Sequence, residues 1–410
     1  MIERGRQVEQ DQRAAEDQRR NNFQRFPLRQ EDHHRQRGDA KNDADPMGDK
    51  ARHLFPVGVA QGRPIRILQH HLKQLHLTPK VRLVQSALAI SRSAARKNNP
   101  DLKSRAAAAK ASRVNKAFIL GAGLGNRLRP LTGRLPKPLV PLFHRPLAAW
   151  AMDACARAGI SQFALNTHHL PEAWDNFSEV PAGCRLSLFH EEILLETGGG
   201  LKNIQPWIGD DDLLIHNGDI FSTLPLEKLV AAHRASGLPV TLAIRSQGLA
   251  KHLALDPSLS RITDIHQKLG RAPGTHVFTG IYCVSREFLE MIPAGEKISV
   301  IPAFLELARA GRLGAVILDD GVWLDLGDRE FYLQAHRELA LAPPVHPLAS
   351  VDGAIIHRSV IGPGASIAPG AVVRDSVVWP GCRVSANAVL DRCIVFSTVP
   401  ASGPHHDRDL

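Results

Sequence analysis

Cysteine and aromatic residues are scarce in this 410-residue sequence: five Cys, two Tyr and five Trp stand beside 14 Phe. Cys155, Cys184, Cys283, Cys382 and Cys393 are odd in number and far apart, which excludes a disulfide framework and metal-finger spacing and fits a reducing, cytoplasmic setting. No apolar run reaches the roughly 20 residues that cross a membrane, and the N-terminus lacks the apolar core of a signal peptide, so no membrane partner is expected. Gly-Lys never occurs, which removes a Walker A loop. His168-His169 and His405-His406 have no Cys, Asp or Glu at ligand spacing, so neither pair suggests zinc. Net positive charge is also missing from most of the chain: residues 1–113 hold 24 Lys and Arg against 12 Asp and Glu, and the rest hold 27 against 29.

Hydrophobic residues make up 43% of the chain, enough for a large core and, by length, two or three domains. Residues 1–113 are rich in Gln, Arg, Asp and His without apolar periodicity, the composition of a disordered or spurious extension. An RNA-binding arm would interleave aromatics with its basic residues, but only Phe23, Phe26 and Phe55 are present. A transit peptide would be poor in acids, whereas Glu3, Glu9, Asp11, Glu16 and Asp17 come early. A nucleic-acid partner is therefore not expected. Val114-Asn115-Lys116 directly precedes the first strand-like run, and valine can be read from an alternative start codon, so the natural protein is expected to begin at residue 114.

The densest pattern runs from Lys116 to Leu142. Ala117-Phe118-Ile119-Leu120 reads as a buried strand, ended at once by Gly121. Gly121, Gly123 and Gly125 alternate over the next five residues, where side chains would hold a polyphosphate away from the backbone N–H groups. A dinucleotide fingerprint would need a third glycine at position 126, which is Asn126. Arg127 adds a forked cation, and Lys137 lies between Pro136 and Pro138, which predict a stiff extended segment aiming its ammonium group. Two cations and a glycine loop after one strand suit a nucleoside triphosphate.

G-x-G-x-G-x-R-L-x-P-L-T, followed by L-P-K-P-L-V-P, resembles the signature of the sugar-1-phosphate nucleotidyltransferases. The wording Leu195-Glu196-Thr197-Gly198-Gly199-Gly200 resembles most the N-acetylmuramic acid 1-phosphate uridylyltransferases and mannose-1-phosphate guanylyltransferase-like relatives. The resemblance implies that Gly121, Ala122, Gly123, Gly125, Thr197 and Gly198 bind nucleotide, and that Arg127 and Lys137 are the catalytic cations. Glu196 and Gly280, the latter in Phe278-Thr279-Gly280-Ile281-Tyr282, would contact the sugar. Asp219, ending Leu213-Leu214-Ile215-His216-Asn217-Gly218-Asp219, and Asp325 of Trp323-Leu324-Asp325-Leu326-Gly327 would hold Mg²⁺, a hard cation that takes one or two carboxylates plus phosphate oxygens. Asp328 stands where relatives carry Thr and reads as the N-cap of a helix beginning near Arg329. Gln267-Lys268-Leu269 stands where relatives often carry Glu-Lys-Pro, which leaves Lys268 without a role.

Between these motifs, strand-like runs alternate with helical ones. A helix is expected over Pro146–Gly159, strands over 162–166, 185–190 and 212–216, a short helix over 172–177, and another from near Leu201. That alternation predicts a doubly wound, Rossmann-like α/β domain over 114–342, with ligands at the carboxyl ends of the strands. After a linker at Pro343, Pro344 and Pro347, aliphatics recur at Ile355, Ile361, Ile367, Val373, Val378, Val384 and Leu390. That is hexapeptide periodicity, predicting about two coils of a left-handed parallel β-helix over 346–397. Its role is expected to be structural, with homo-oligomerisation through it.

The implied reaction joins an NTP to a sugar 1-phosphate, giving a nucleotide sugar and pyrophosphate, with uridylyl or guanylyl transfer favoured. The alternative is a catalytically silent, regulatory relative that binds nucleotide sugar; such relatives tend to lose the cationic and metal residues, and here all four are present.

Overall fold

The structure is a computed structural model that describes residues 114–248 and 250–410. The expectations for 1–113, including a start at Val114, lie outside the described residues or rest on them.

The domain core is one seven-stranded sheet. Its elements, with two further strands and five helices around them, are β1 (Val114–Leu120), α1 (Leu147–Arg157), β2 (Gln162–Thr167), β3 (Arg185–His190), α2 (Glu196–Asn203), β4 (Asp212–Asn217), β5 (Ile220–Ser222), α3 (Leu226–Ser236), β6 (Val240–Arg245), β7 (Val277–Val284), α4 (Ile301–Arg309), β8 (Leu313–Ile317), β9 (Trp323–Asp325) and α5 (Arg329–Glu338). The sheet order is β8-β6-β7-β4-β1-β2-β3, and only β7 runs antiparallel to its neighbours.

β1 is central because both of its faces are apolar. Ala117 and Ile119 pack with Ala148 and Met152 of α1 and Leu229 of α3, whereas Phe118 points the other way, among Leu201 of α2, Ile215, Tyr282 and Phe304 of α4. Phe118 and Ile119 are fully buried, and side chains of this size contribute roughly 1.5–3 kcal/mol each. Covering both faces with helices is the doubly wound arrangement. The chain leaves β1 toward β2 on one side and returns to β4 on the other, so a crevice opens beyond their carboxyl ends.

Three local expectations are corrected. Lys137 is not on an extended segment: Pro136 is extended, but Lys137–Leu139 form one 3₁₀ turn with Pro138 at its second position, which a fixed φ suits. Residues 171–174, rather than 172–177, form a 3₁₀ turn. The glycine triplet does not precede its helix but builds the first turns of α2, which starts at Glu196 rather than near Leu201.

The C-terminal region is a parallel β-helix. Ile355, Val372 and Val389 pair in register 17 residues apart, as do Val360, Val377 and Ile394, while Ser366 pairs with Arg383. Each coil therefore takes steps of five, six and six residues. The short step turns at Arg358, Asp375 and Arg392, each with positive φ. This phase corrects one repeat position: Ile356 faces the stack, and Ile355 is 61% exposed. Coils also extend past the expected limit, since Pro404–His406 adds a fourth strand to the Ile355–His357 face.

The β-helix shares a core with the α/β domain. Leu128, Leu131 and Val140 pack with Tyr332 and Leu333 of α5 and with Ile361, Val378 and Trp379. Within that core the Trp379 indole N–H donates to the Tyr332 hydroxyl at 3.0 Å, which donates to the Pro141 carbonyl at 2.6 Å.

Candidate functional site

A cleft of about 480 Å³ opens at the carboxyl ends of β1, β2 and β4, within the range of small-ligand sites. Of the sequence-predicted residues, Gly121, Ala122, Gly123, Gly125, Arg127, Lys137, Glu196, Thr197 and Asp219 line it.

The glycine loop follows β1 directly, and its three glycines have three different causes. A Cβ on Gly121 would stand 2.7 Å from the Asn166 carbonyl. On Gly123 it would meet nothing within 4 Å, so that position faces open space. Gly125 has φ +62° and lies against Thr132, whose hydroxyl donates to the Gly125 carbonyl at 2.9 Å. The Gly121 N–H is taken by Asn166 Oδ1 at 2.7 Å. The loop N–H groups that could meet a phosphate are therefore those beyond Gly121.

Lys137 is only 7% exposed, and its Nζ lies 2.7 Å from Asp219 Oδ2. β5 and β9 pair antiparallel immediately after Asp219, with Asp325 opposite Ile220 and the Leu326 N–H donating to the Asp219 carbonyl at 3.1 Å. The two aspartates, 106 residues apart in sequence, thus lie on adjoining backbones. Burial pushes the Asp325 carboxyl above the usual carboxylate range, and the neighbouring Asp219 charge pushes the same way, against Lys137 and Arg127. Its Oδ1 is buried without a hydrogen-bond partner. Two carboxylates and an unpartnered buried oxygen fit a hard divalent cation that completes its shell with phosphate oxygens and water. Among the described residues no set of three or more His, Cys, Asp or Glu forms a metal cage.

Gly327 explains how Arg127 joins this group. A Cβ there would fall 2.7 Å from the Arg127 guanidinium and 2.8 Å from Asp325 Oδ1, so glycine lets the cation close over the turn. Asp328 caps α5 by accepting the Phe331 N–H at 3.1 Å, as its sequence position suggests.

Gly198, Gly280 and Asp325 are not among the cleft-lining residues; Asp325 lies behind the lining residues Asp219 and Gly327. Gly198 and Gly199 donate their N–H groups to the Ile298 carbonyl, and Cβ atoms there would stand 2.8 Å from Ile298 O and 2.3 Å from Glu296 O. The triplet is glycine because another backbone crosses α2. Thr197 takes part in the same contact, its hydroxyl oxygen accepting the Val300 N–H at 3.1 Å. Gly280 has φ +74° and abuts the Asn217 amide, and Asn217 itself lines the cleft. Motif reading passed over Asn166 and Asn217. Both lie at or next to the carboxyl end of a strand, the one signal that could have found them.

Residues 116–341 match the nucleotidyl transferase family, and residues 334–402 match the GlmU-like C-terminal hexapeptide family. Mannose-1-phosphate guanylyltransferase of Mycobacterium tuberculosis is 31% identical over 276 residues, spanning 62% of this chain and 76% of that protein. UTP–glucose-1-phosphate uridylyltransferase of Synechocystis is 27% identical over 242 residues, spanning 54% and 62%. Mannose-1-phosphate guanyltransferase of Hypocrea jecorina is 27% identical over 265 residues, spanning 60% and 72%. A family match over more than half the chain thus falls on the glycine loop, both cations, Asp219 of the cleft and Asp325 beside it, and the chain belongs to the nucleotidyl transferase family.

Proposed function

We propose that the protein is a sugar-1-phosphate nucleotidyltransferase, which transfers a guanylyl or uridylyl group from an NTP to a sugar 1-phosphate and releases pyrophosphate. The observation that carries this reading is the convergence of Arg127, Lys137 and Asp219 on one glycine-lined cleft, with Asp325 on the backbone adjoining Asp219. The guanylyl and uridylyl preference rests on what the named relatives transfer.

A sugar phosphate oxygen would attack the α-phosphorus in line, forming one P–O bond as the bond to the β-phosphate oxygen breaks. The attacking oxygen is already anionic, so no general base is needed, and positioning and charge neutralisation supply the acceleration. In this reading Ala122, Gly123 and Gly125 approach the triphosphate by backbone, and Arg127 neutralises it. Lys137, held by Asp219 in the structure, would bridge the α-phosphate and the incoming phosphate. Thr197 would hold the nucleoside and Glu196 the sugar, while Gly198 and Gly280, which do not line the cleft, would act only by letting the Ile298 backbone and Asn217 pack close. Asp219 and Asp325 would hold Mg²⁺, which supplies charge neutralisation on the phosphates. No helix among the described residues is long and apolar enough to cross a membrane, and the proposed setting is the cytoplasm, with self-association through the β-helix.

The test is a pyrophosphate-release assay of GTP, UTP, ATP, CTP and dTTP against a panel of sugar 1-phosphates with Mg²⁺. The reading expects release with GTP or UTP that depends on the sugar phosphate. Nucleotide-sugar binding without release from any pair would favour the silent regulatory alternative.

A further inference from the structure

We propose that Glu191 is a positioning residue that fixes the two nucleotide-contacting segments relative to each other; this rests on the nucleotide reading of the cleft. Glu191 follows β3 and is 2% exposed, and Asn166, the penultimate residue of β2, is 3% exposed. The Gly121 N–H donates to Asn166 Oδ1 at 2.7 Å, Asn166 Nδ2 donates to Glu191 Oε1 at 2.7 Å, and the Leu195 N–H donates to Glu191 Oε2 at 3.0 Å. One relay thus runs from the first residue of the glycine loop to the residue before Glu196 and Thr197. Gly121 and Asn166 line the cleft, Leu195 stands between the lining residues Leu194 and Glu196, and Glu191 is set behind them.

Hydrogen-bond polarity requires a carboxylate at its end. Asn166 must present its oxygen to Gly121, so its amide faces Glu191 as a donor, and Leu195 brings a second donor. A side chain with an acceptor oxygen on each branch satisfies both, which an amide does not. Among the described residues no ion pair involves Glu191, and its two side-chain oxygens are held by these hydrogen bonds. The fold also makes room for it. A Cβ on Gly200 would stand 2.7 Å from Glu191 Oε1 and 2.9 Å from Asn166 Nδ2, which accounts for the third glycine of the triplet on α2.

The test uses the full chain and two variants. Glu191→Gln places an amide donor against Asn166 or Leu195, so at least one bond of the relay is lost whichever way the side chains turn. Asn166→Asp combined with Glu191→Gln reverses the middle of the relay: Asp would accept from Gly121 and from Gln Nε2, while Gln Oε1 accepts from Leu195. Net charge stays the same. Calorimetric titration with Mg²⁺–GTP and Mg²⁺–UTP is the first readout, and the KM values for nucleotide and for sugar phosphate are the second. Glu191→Gln is expected to weaken nucleotide binding about tenfold, with the sugar-phosphate KM nearly unchanged, and the double variant to recover most of that loss. Unchanged affinity in Glu191→Gln, equal loss for both substrates, or no recovery in the double variant would overturn the proposal. If Glu191→Gln does not fold, a folded double variant with near-native affinity supports the relay, and one that also fails to fold overturns it. Calorimetry separates this from the functional reading: nucleotide binding without turnover refutes transfer and still tests the relay, whereas absence of nucleotide binding by the native chain refutes both.

Discussion

The N–H of Leu326 donates to the carbonyl of Asp219 at 3.1 Å. This bond joins the segment after β4 to β9, and it carries Asp325 to Asp219 across an interval of 106 residues. Burial and the Asp219 charge both disfavour ionised Asp325, so a cation between the two removes a cost that the folded chain otherwise bears. Asp219→Asn and Asp325→Asn should each raise the Mg²⁺ concentration for half-maximal rate by about tenfold or more, and the double variant should lose little beyond the worse single, because the pair acts as a unit. Strictly additive losses in a Mg²⁺ titration would mean that the two act separately.

Lys137 pairs with Asp219 at 2.7 Å. Lys137→Ala should lower kcat/KM about a hundredfold, corresponding to roughly 3 kcal/mol of transition-state stabilisation. It leaves a 3₁₀ turn whose prolines are untouched, so the circular dichroism spectrum should remain native. Near-native turnover in the folded variant would remove Lys137 from the chemistry.

His336 gives a pH-dependent stability. It accepts the Phe143 N–H at Nε2, 3.0 Å away, and donates from Nδ1 to the Tyr332 carbonyl at 2.8 Å, which requires the neutral ring. Burial pushes it down to about 4, as it does His216 and His233. The folded pKa is depressed below the unfolded value, so this stability is fully present above about pH 6.5 and is lost as pH falls through 4. Over that window each ring contributes about 1.4 kcal/mol per pH unit. His336→Gln can keep both bonds through its amide without titrating. Denaturant titrations from pH 7 to 4.5 should show a shallower loss in the variant, and an identical slope would contradict the assignment.

The joint between the domains should be equally sensitive to one atom. Tyr332→Phe removes the hydroxyl that serves both Trp379 and Pro141, leaving two buried polar groups unpaired at about 1–3 kcal/mol each. Differential scanning calorimetry should record a melting temperature lower by several degrees. An unchanged value would mean that water or another group replaces the hydroxyl.

The parts legible in the sequence are those whose cause is local. Asp219 follows an apolar run, so its place at the sheet edge could be read from strand periodicity alone. Asp328 was legible for the same reason, since a cap needs only its own helix. Gly198 to Gly200 were not, because glycine disfavours helix and the cause of the triplet lies in the crossing backbone of 296–298 and in Glu191. Ile355 was placed one residue off because a coil with steps of five, six and six can be phased in more than one way until the turn at Arg358 is seen. Asn166 and Glu191 act on neighbouring backbone amides and carry no pattern of their own.

In the proposed reaction nucleotide and sugar phosphate meet directly in one site, with no protein nucleophile between them. Exchange of labelled pyrophosphate into GTP or UTP tests it. Direct transfer predicts no exchange with enzyme, Mg²⁺ and NTP alone, and rapid exchange once the matching sugar 1-phosphate is added. Exchange in the absence of any sugar phosphate would reveal a nucleotidyl-enzyme and rule out direct transfer.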